Sequence, residues 1–212
     1  MRYQIWLLAC CLLALIVSVI APPYPRELML QHAPTVLAMA LLLLAVERRL
    51  LTDGAMACLV FFLLLHILGA RYIYSYVPYD RWCQTVLKFS PAELFCWQRN
   101  HYDRLVHIAF GLLVMFPLVQ VLEQSGRLSR SWAIAAGMMG VMALSAAYEV
   151  LEWGLAMVLA PEMADRYNGQ QGDPWDAQKD MALAAAGAVA AMLWMIVWRK
   201  PGGAGPTHSG KT

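Results

Sequence analysis

The chain has 212 residues, of which 60% are hydrophobic and only 14% are charged, and its formal net charge is +2. A soluble domain of this size carries about 25% charged residues, so the composition excludes an ordinary water-soluble fold. The charge is nearly balanced and the sequence has no Lys/Arg-rich run, which argues against a nucleic-acid-binding protein. Because a membrane-spanning helix takes about 20 apolar residues, the chain has room for about six spans and no separate soluble domain.

Six apolar segments follow one another along the sequence. They cover residues 4–20, 28–46, 54–73, 105–122, 131–159 and 181–198. The sequence therefore predicts an all-α integral membrane protein, with about six transmembrane helices in one bundle. Residues 1–200 form a single polytopic membrane domain in this interpretation, and the Gly/Pro-rich residues 201–212 form a disordered cytoplasmic tail.

The basic residues predict how the bundle is oriented. Each side of the membrane carries eight Lys or Arg, but five of those on one side lie around the long loop 71–104. Orientation follows the short loops and tails, where the count is eight against three, so both termini are predicted to be cytoplasmic. The long loop then faces outwards and contains Cys83 and Cys96, for which an oxidising compartment permits a disulfide.

Ionisable residues within the predicted spans lie near the outer end of the bundle. The third span contains His66, the fourth His107, and the fifth Glu149 and Glu152. The sixth helix begins around Asp173 and contains Asp180 further in. Such groups are costly inside a membrane, and they usually face a partner, a cavity or a pathway. The sequence therefore predicts a shallow polar pocket that opens at the outer face.

Helical spacing indicates which polar side chains share a face. Asp103 and His107 are four residues apart, and Asp173, Asp176 and Asp180 follow at intervals of three and four. Helix capping is an equally good interpretation of Asp103, Asp173 and Asp176, and it is compatible with a functional role.

Two further groups have alternative interpretations. His66 is alone on an apolar segment, where a histidine is more often a hydrogen-bonded core residue than a ligand. Arg99 and Arg104 are either counter-ions of the acids or bidentate donors to lipid headgroup phosphates.

Four motifs cover these residues. They are Gly69-Ala-Arg-Tyr-Ile-Tyr-Ser-Tyr-Val-Pro-Tyr-Asp80, Arg99-Asn-His-Tyr-Asp-Arg-Leu-Val-His107, Tyr148-Glu-x-x-Glu-Trp153 and Gln171-Gly-Asp-Pro-Trp-Asp-Ala-Gln-Lys-Asp-Met181. Together they resemble the YjdF-like family of uncharacterised bacterial inner-membrane proteins, over about residues 22–198. The resemblance implies a multi-pass protein of the bacterial inner membrane, but no activity and no catalytic residue. Arg71 departs from the family pattern, which has His there, and this disfavours a metal ligand at that position.

The first functional hypothesis is a metal-dependent hydrolase of a lipid-linked substrate. Its candidate metal ligands are His66, His107, Glu152 and Asp180, with Asp173, Asp176 and His101 as alternatives. Mixed nitrogen and oxygen ligation suits zinc, manganese or iron. The catalytic candidates are Glu149 as general base, Asp103 and Arg104, while Arg99 and Arg104 hold an anionic headgroup.

Two other classes remain open. A proton-coupled transporter would use the same acids as a relay, but transporters usually place their sites near the bilayer midplane rather than at one surface. A structural or partner-binding membrane protein would pair the acids with Arg99 and Arg104. Membrane lipids are the expected partners in each case.

Overall fold

The computed structural model describes residues 2–125, 128–158 and 170–197, and the regular structure of these residues is entirely α-helical. Six long helices are α1 (Arg2–Ser18), α2 (Pro25–Glu47), α3 (Asp53–Arg71), α6 (Tyr102–Ser125), α7 (Arg130–Val158) and α8 (Asp176–Val197). Two short helices, α4 (Tyr79–Leu87) and α5 (Pro91–Leu94), lie in the long loop. The all-α fold class is confirmed.

Five helices, α2, α3, α6, α7 and α8, are long and apolar enough to cross a membrane, and α1 is a shorter apolar helix. The multi-pass character is thus confirmed, while the sixth span, the single-domain division and the cytoplasmic termini stay predictions. The predicted tail 201–212 lies outside the described residues, as do residues 159 and 198 at the ends of two predicted spans. Both loop cysteines, Cys83 and Cys96, are free thiols.

Three helices begin earlier than the apolar segments indicated. α2 begins at Pro25, α6 at Tyr102 and α8 at Asp176, each at least three residues before the apolar sequence starts. Their first turns contain polar residues, because the N–H groups there lack helical partners and favour nearby acids. Asp103 and Asp180 therefore lie near the starts of α6 and α8, as their positions after the predicted N-caps indicated.

α6 and α8 pack backbone against backbone. A methyl group on Gly111 would lie 1.9 Å from the Ala184 carbonyl oxygen, and one on Gly187 would lie 2.1 Å from the Ile108 carbonyl oxygen. Small residues permit this close approach in membrane helices. The two helices run in parallel from the same end of the bundle, which is called the outer end after the predicted orientation.

The described residues form three apolar cores, the smallest of which joins α3 and the turn after it to the start of α6. The two larger cores each belong to one half of the bundle. One forms between α1, α2 and α3, and the other between α6, α7 and α8. α3 also packs against α6 and so joins the two halves. This arrangement places the starts of α6 and α8 beside the outer end of α7, where the polar residues are concentrated.

Candidate functional site

An ion-pair cluster ties the outer ends of α6 and α8 together. Arg99 donates to both carboxylate oxygens of Asp176, at 2.6 and 3.2 Å. Arg104 and Lys179 each lie 2.6 Å from the Oδ2 atom of Asp173. These five residues form the outer ion-pair cluster, in which three cations face two carboxylates and leave one net positive charge.

The contacts shift the pKa of two groups that lie outside the spans. The hydrogen bond from Lys179, the backbone N–H of Trp175 and the charges of Lys179 and Arg104 lower the pKa of Asp173 to about 2. Burial, followed by the charges of two neighbouring arginines, lowers the pKa of His101 below its ordinary value. At neutral pH the Asp173 carboxylate is therefore charged and the His101 ring is neutral.

A second cluster lies one turn further into the bundle. The Nε2 atom of His107 is 3.6 Å from Asp103 Oδ1 and 3.5 Å from Glu149 Oε1. One ligand atom each from Asp103, His107 and Asp180 lie within 4.8 Å of one another. All four side chains are buried, and Asp180 is only 2% exposed. These four residues form the buried His/Asp/Glu cluster.

Three residues of the buried His/Asp/Glu cluster, Asp103, His107 and Asp180, have ligand atoms close enough together to hold one cation. Separations of 3.5 and 3.6 Å exceed the range of good hydrogen bonds. The separation between Asp103 and His107 is close to the spacing of about 3.4 Å between ligand atoms at about 2.1 Å from a tetrahedral ion. Glu149 Oε1 and Asp180 Oδ1 are also buried without a hydrogen-bond partner among the described residues. Unpartnered buried carboxylate oxygens are costly unless a ligand compensates them.

Glu152 lies beside this cluster rather than within it. With Glu149 and Asp176 it lines a cavity of about 430 Å³ between α7 and α8. Since Glu149 belongs to the buried His/Asp/Glu cluster and Asp176 to the outer ion-pair cluster, this cavity adjoins both.

A second cavity of about 310 Å³ lies between α2, α3, α6 and α7. Its walls are mostly apolar, but Asp103 and His107 line it on one side and His66 and Tyr74 on another. The buried His/Asp/Glu cluster therefore borders two cavities, a polar one towards the outer ion-pair cluster and an apolar one towards the first three helices.

His66 lines the apolar cavity but has hydrogen-bond partners of its own. Its Nε2 atom lies 2.9 Å from Thr35 Oγ1 and 3.2 Å from the Gln31 carbonyl oxygen. Its Nδ1 atom hydrogen-bonds to the Tyr74 hydroxyl. Both ring nitrogens of His66 already have hydrogen-bond partners, so neither is available to the buried His/Asp/Glu cluster as a metal ligand.

This contact continues as a chain of buried hydrogen bonds through α2 to α1. Thr35 Oγ1 lies 3.2 Å from His32 Nδ1, and His32 Nε2 lies 2.8 Å from Ser18 Oγ. The Ser18 hydroxyl donates to a backbone carbonyl, which can only accept, so neutral His32 donates from Nε2 to Ser18. The single Thr35 hydroxyl proton lies within reach of both the Gln31 carbonyl oxygen, at 3.4 Å, and His32 Nδ1. Thr35 in turn accepts from His66 Nε2, and the His66 Nδ1 atom accepts from Tyr74. The network therefore assigns the Nε2–H tautomer to both histidines.

The turn after α3 directs Tyr74 into this network. Ile73 and Tyr74 have φ values of 45° and 51°, in the left-handed region that β-branched and bulky residues rarely adopt. A methyl group on Gly69 would lie 2.7 Å from the Tyr74 ring, so the glycine leaves room for it. The sequence analysis did not identify Tyr74, Thr35 or His32 as parts of one network. The sequence gives one indication of this network: His32 and Thr35 are three residues apart on α2 and therefore share a face of the helix.

The structure thus divides the candidate residues among five environments. Asp103, His107, Glu149 and Asp180 converge, and Glu152 lies in the adjacent polar cavity. Arg99, Arg104 and Lys179 form ion pairs with Asp173 and Asp176. His66 belongs to the hydrogen-bonded chain, and the His101 ring packs against Trp97, with 4.4 Å between centroids.

Comparison with known proteins identifies the family. Residues 3–201 match the family described as "Predicted membrane protein (DUF2238)". The chain belongs to this family. It is also 29% identical over 169 residues to the inner membrane protein YjdF of Escherichia coli (strain K12), covering 79% of the chain and 76% of that protein. No solved structure matches the chain. The family resemblance and the localisation in the bacterial inner membrane are confirmed.

Proposed function

We propose that this protein is a metal-dependent hydrolase that acts on a lipid-linked substrate at the outer face of the membrane. The observation that carries the proposal is the pair of buried, unpartnered carboxylate oxygens of Glu149 and Asp180 beside the His107 imidazole. A divalent cation held by Asp180 would compensate the oxygen of that residue, while the Glu149 oxygen would remain available to accept a proton. One imidazole nitrogen and several carboxylate oxygens are ligands that suit zinc, manganese or iron.

The four residues of the buried His/Asp/Glu cluster divide between holding the metal and moving a proton. Asp103, His107 and Asp180 would hold the ion, since their ligand atoms lie within 4.8 Å of one another. Glu149 borders the polar cavity and is the general base, which takes a proton from an attacking water. A bound divalent ion supplies Lewis acidity and makes that water a better nucleophile.

The outer ion-pair cluster supports an anionic substrate. Its three cations and two carboxylates leave one positive charge beside the polar cavity, and guanidinium groups are good donors to phosphate. Arg99 and Arg104 are also fixed by Asp173 and Asp176, so their positions do not depend on the substrate. We propose that they attract an anionic headgroup towards Glu149.

Metal content tests this proposal directly. Purified wild-type protein should retain about one zinc, manganese or iron ion per chain, as measured by elemental analysis. The variants His107→Ala and Asp180→Asn should lose most of it, because each removes a proposed ligand. The matched control His101→Ala removes a histidine from the same end of the bundle whose ring packs against Trp97, and it should retain the metal.

The same experiment separates the hydrolase from its alternatives. Thermal unfolding of each variant shows whether metal loss accompanies unfolding. A folded wild-type protein without stoichiometric metal would contradict the hydrolase. It would favour a structural role, in which the acids stabilise the bundle through ion pairs such as Arg99–Asp176. Equal metal loss in His101→Ala would contradict the assignment of His107 as a specific ligand.

A further inference from the structure

The apolar cavity is flanked by the two helices that pack on opposite halves of the bundle. α2 packs against α1 and α3, whereas α7 packs against α6 and α8. Both helices contribute residues to the cavity walls, and the floor is formed by α3 and α6 where the two halves meet. The cavity therefore lies at the seam between the halves, within segments that are apolar enough to be surrounded by lipid.

The cavity extends from the lipid-facing surface to buried side chains. On α7, Leu144 lines its edge and is 52% exposed, while on the floor Leu63 and Val106 are 4% and 5% exposed. Its volume of about 310 Å³ is at the lower end of ligand sites, which usually measure about 300–1,000 Å³. This space is too small for a whole phospholipid and suits a single chain.

Two polar features distinguish the cavity from a simple packing defect. Asp103 and His107 line it, so the cavity leads to the buried His/Asp/Glu cluster. Ser145 also lines it, is 2% exposed, and has a hydroxyl without a hydrogen-bond partner among the described residues. A buried hydroxyl in an apolar wall is suited to donate to the oxygen of an ester-linked chain.

We propose that this cavity binds one acyl chain of a membrane lipid, which enters sideways from the bilayer between α2 and α7. The acyl chain fills the cavity and contacts its apolar walls. Its ester oxygen accepts a hydrogen bond from Ser145, and the bond to be cleaved lies towards His107. The identity of the reactive centre rests on the proposed function, whereas the chain-binding site does not require a metal. The substrate class is then a membrane lipid with an ester-linked acyl chain.

Photo-cross-linking tests the proposal without an activity assay. The full-length protein is reconstituted in nanodiscs that contain a phosphatidylethanolamine with a diazirine in the middle of one acyl chain. After irradiation, mass spectrometry should find the label on Leu63 and Val106, which lipid around the protein cannot reach. Exposed residues such as Leu151 report the ordinary contact with surrounding lipid.

A matched pair of variants tests entry at the cavity edge. Leu144→Trp fills the edge and should lower the labelling of Leu63 and Val106 by about tenfold. Leu151→Trp places the same side chain on the same helix, at a position with 49% exposure outside the cavity walls, and should leave floor labelling unchanged. If Leu144→Trp fails to fold, the labelling of Leu63 and Val106 in Leu144→Phe is compared with that in the wild type, and a reduction is again expected.

The outcomes distinguish this inference from the proposed hydrolase. Label confined to exposed residues, or floor labelling that Leu144→Trp does not reduce, would overturn the acyl-chain site. Floor labelling that persists in metal-free Asp180→Asn, which alters a proposed metal ligand outside the walls of this cavity, supports the chain site whatever the metal content of the wild type. Stoichiometric metal without floor labelling would reject the chain site and leave the metal centre in place.

Discussion

Asp173 and Asp180 are seven residues apart, yet their carboxylates have opposite environments. Asp173 receives hydrogen bonds from Lys179 and Arg104 near the surface. Asp180 is 2% exposed and has an oxygen without a hydrogen-bond partner among the described residues. The protein thus compensates the charge of Asp173 itself, whereas the buried oxygen of Asp180 requires a further partner such as a bound cation. This contrast separates the structural acids from the candidate ligands.

The lowered pKa of Asp173 predicts how stability changes in acid. Its folded pKa of about 2 lies below the ordinary value of 3.8, so its charged form stabilises the fold at pH values above about 4. This contribution should disappear as the pH falls from about 4 to about 2, because the protonated acid loses its bond to Lys179. Thermal unfolding of wild type and Asp173→Asn, measured between pH 6 and pH 2 in detergent, checks the expectation.

Asp173→Asn should unfold at a lower temperature than wild type at pH 6, and this difference in stability should vanish near pH 2. Lys179→Met is the second variant, since it removes the largest cause of the shift and should move the loss of stability to higher pH. A constant difference between wild type and Asp173→Asn across the whole range would refute the assigned role of the charge.

Residue spacing predicted part of the candidate site. The four-residue interval places Asp103 and His107 on one face of a helix, and the structure brings them within 3.6 Å. The partners of His66 were not predictable in the same way, because they lie on α2 and in the turn after α3. Periodicity describes one helix at a time and does not specify which helices are neighbours.

At the scale of elements, the contact between α6 and α8 determines the geometry of the buried His/Asp/Glu cluster. His107 and Asp180 each lie one or two turns before the position where Gly111 and Gly187 let the helix backbones meet. Hydropathy was sufficient to locate both helices. Their close approach was not predictable, because a single glycine in a membrane helix has no distinct sequence signal.

Substitution of these glycines tests the backbone contact. In Gly187→Ala the new methyl group would lie 2.1 Å from the Ile108 carbonyl oxygen, so the two helices must move apart. We expect a loss of about 1–3 kcal/mol in unfolding free energy, as for other overpacked cores. Gly154→Ala is the matched control, since nothing lies within 4 Å of its new methyl group, and it should be neutral or slightly stabilising.

Chemical denaturation in detergent measures both changes, and metal content provides a second measurement. If the contact positions His107 and Asp180, then Gly187→Ala should also lower metal retention while Gly154→Ala does not. Equal stability of the two variants would show that α6 and α8 are not in backbone contact.

At the scale of the whole molecule, the two ends of the bundle carry different chemistry. The outer end contains the buried His/Asp/Glu cluster and the outer ion-pair cluster. The contacts at the opposite end include Gln4 with Asp53 at 2.7 Å, Thr52 with Gln120 at 2.9 Å and a half-exposed ion pair between Arg130 and Glu123 at 3.3 Å. The apolar cavity lies where the two halves of the bundle join. A reaction at the outer end would therefore act on one leaflet only.

The orientation of the bundle decides which leaflet this is. The excess of Lys and Arg in short loops and tails predicts that the site faces away from the cytoplasm. Cys96 is an exposed free thiol in the long loop on the site's side, and Ser129 is exposed at the start of α7 on the opposite side. Two single-cysteine proteins, one with Cys96 alone and one with Ser129→Cys alone, therefore report the two sides.

In spheroplasts of a Gram-negative host, a membrane-impermeant maleimide should label the Cys96 protein before lysis and the Ser129→Cys protein only after lysis. The positive-inside rule gives this expectation because Arg48, Arg49 and Arg130 lie at the same end as Ser129. The reverse pattern would place the buried His/Asp/Glu cluster at the cytoplasmic face. The substrate would then be a lipid of the inner leaflet, and any product with a water-soluble headgroup would be released into the cytoplasm.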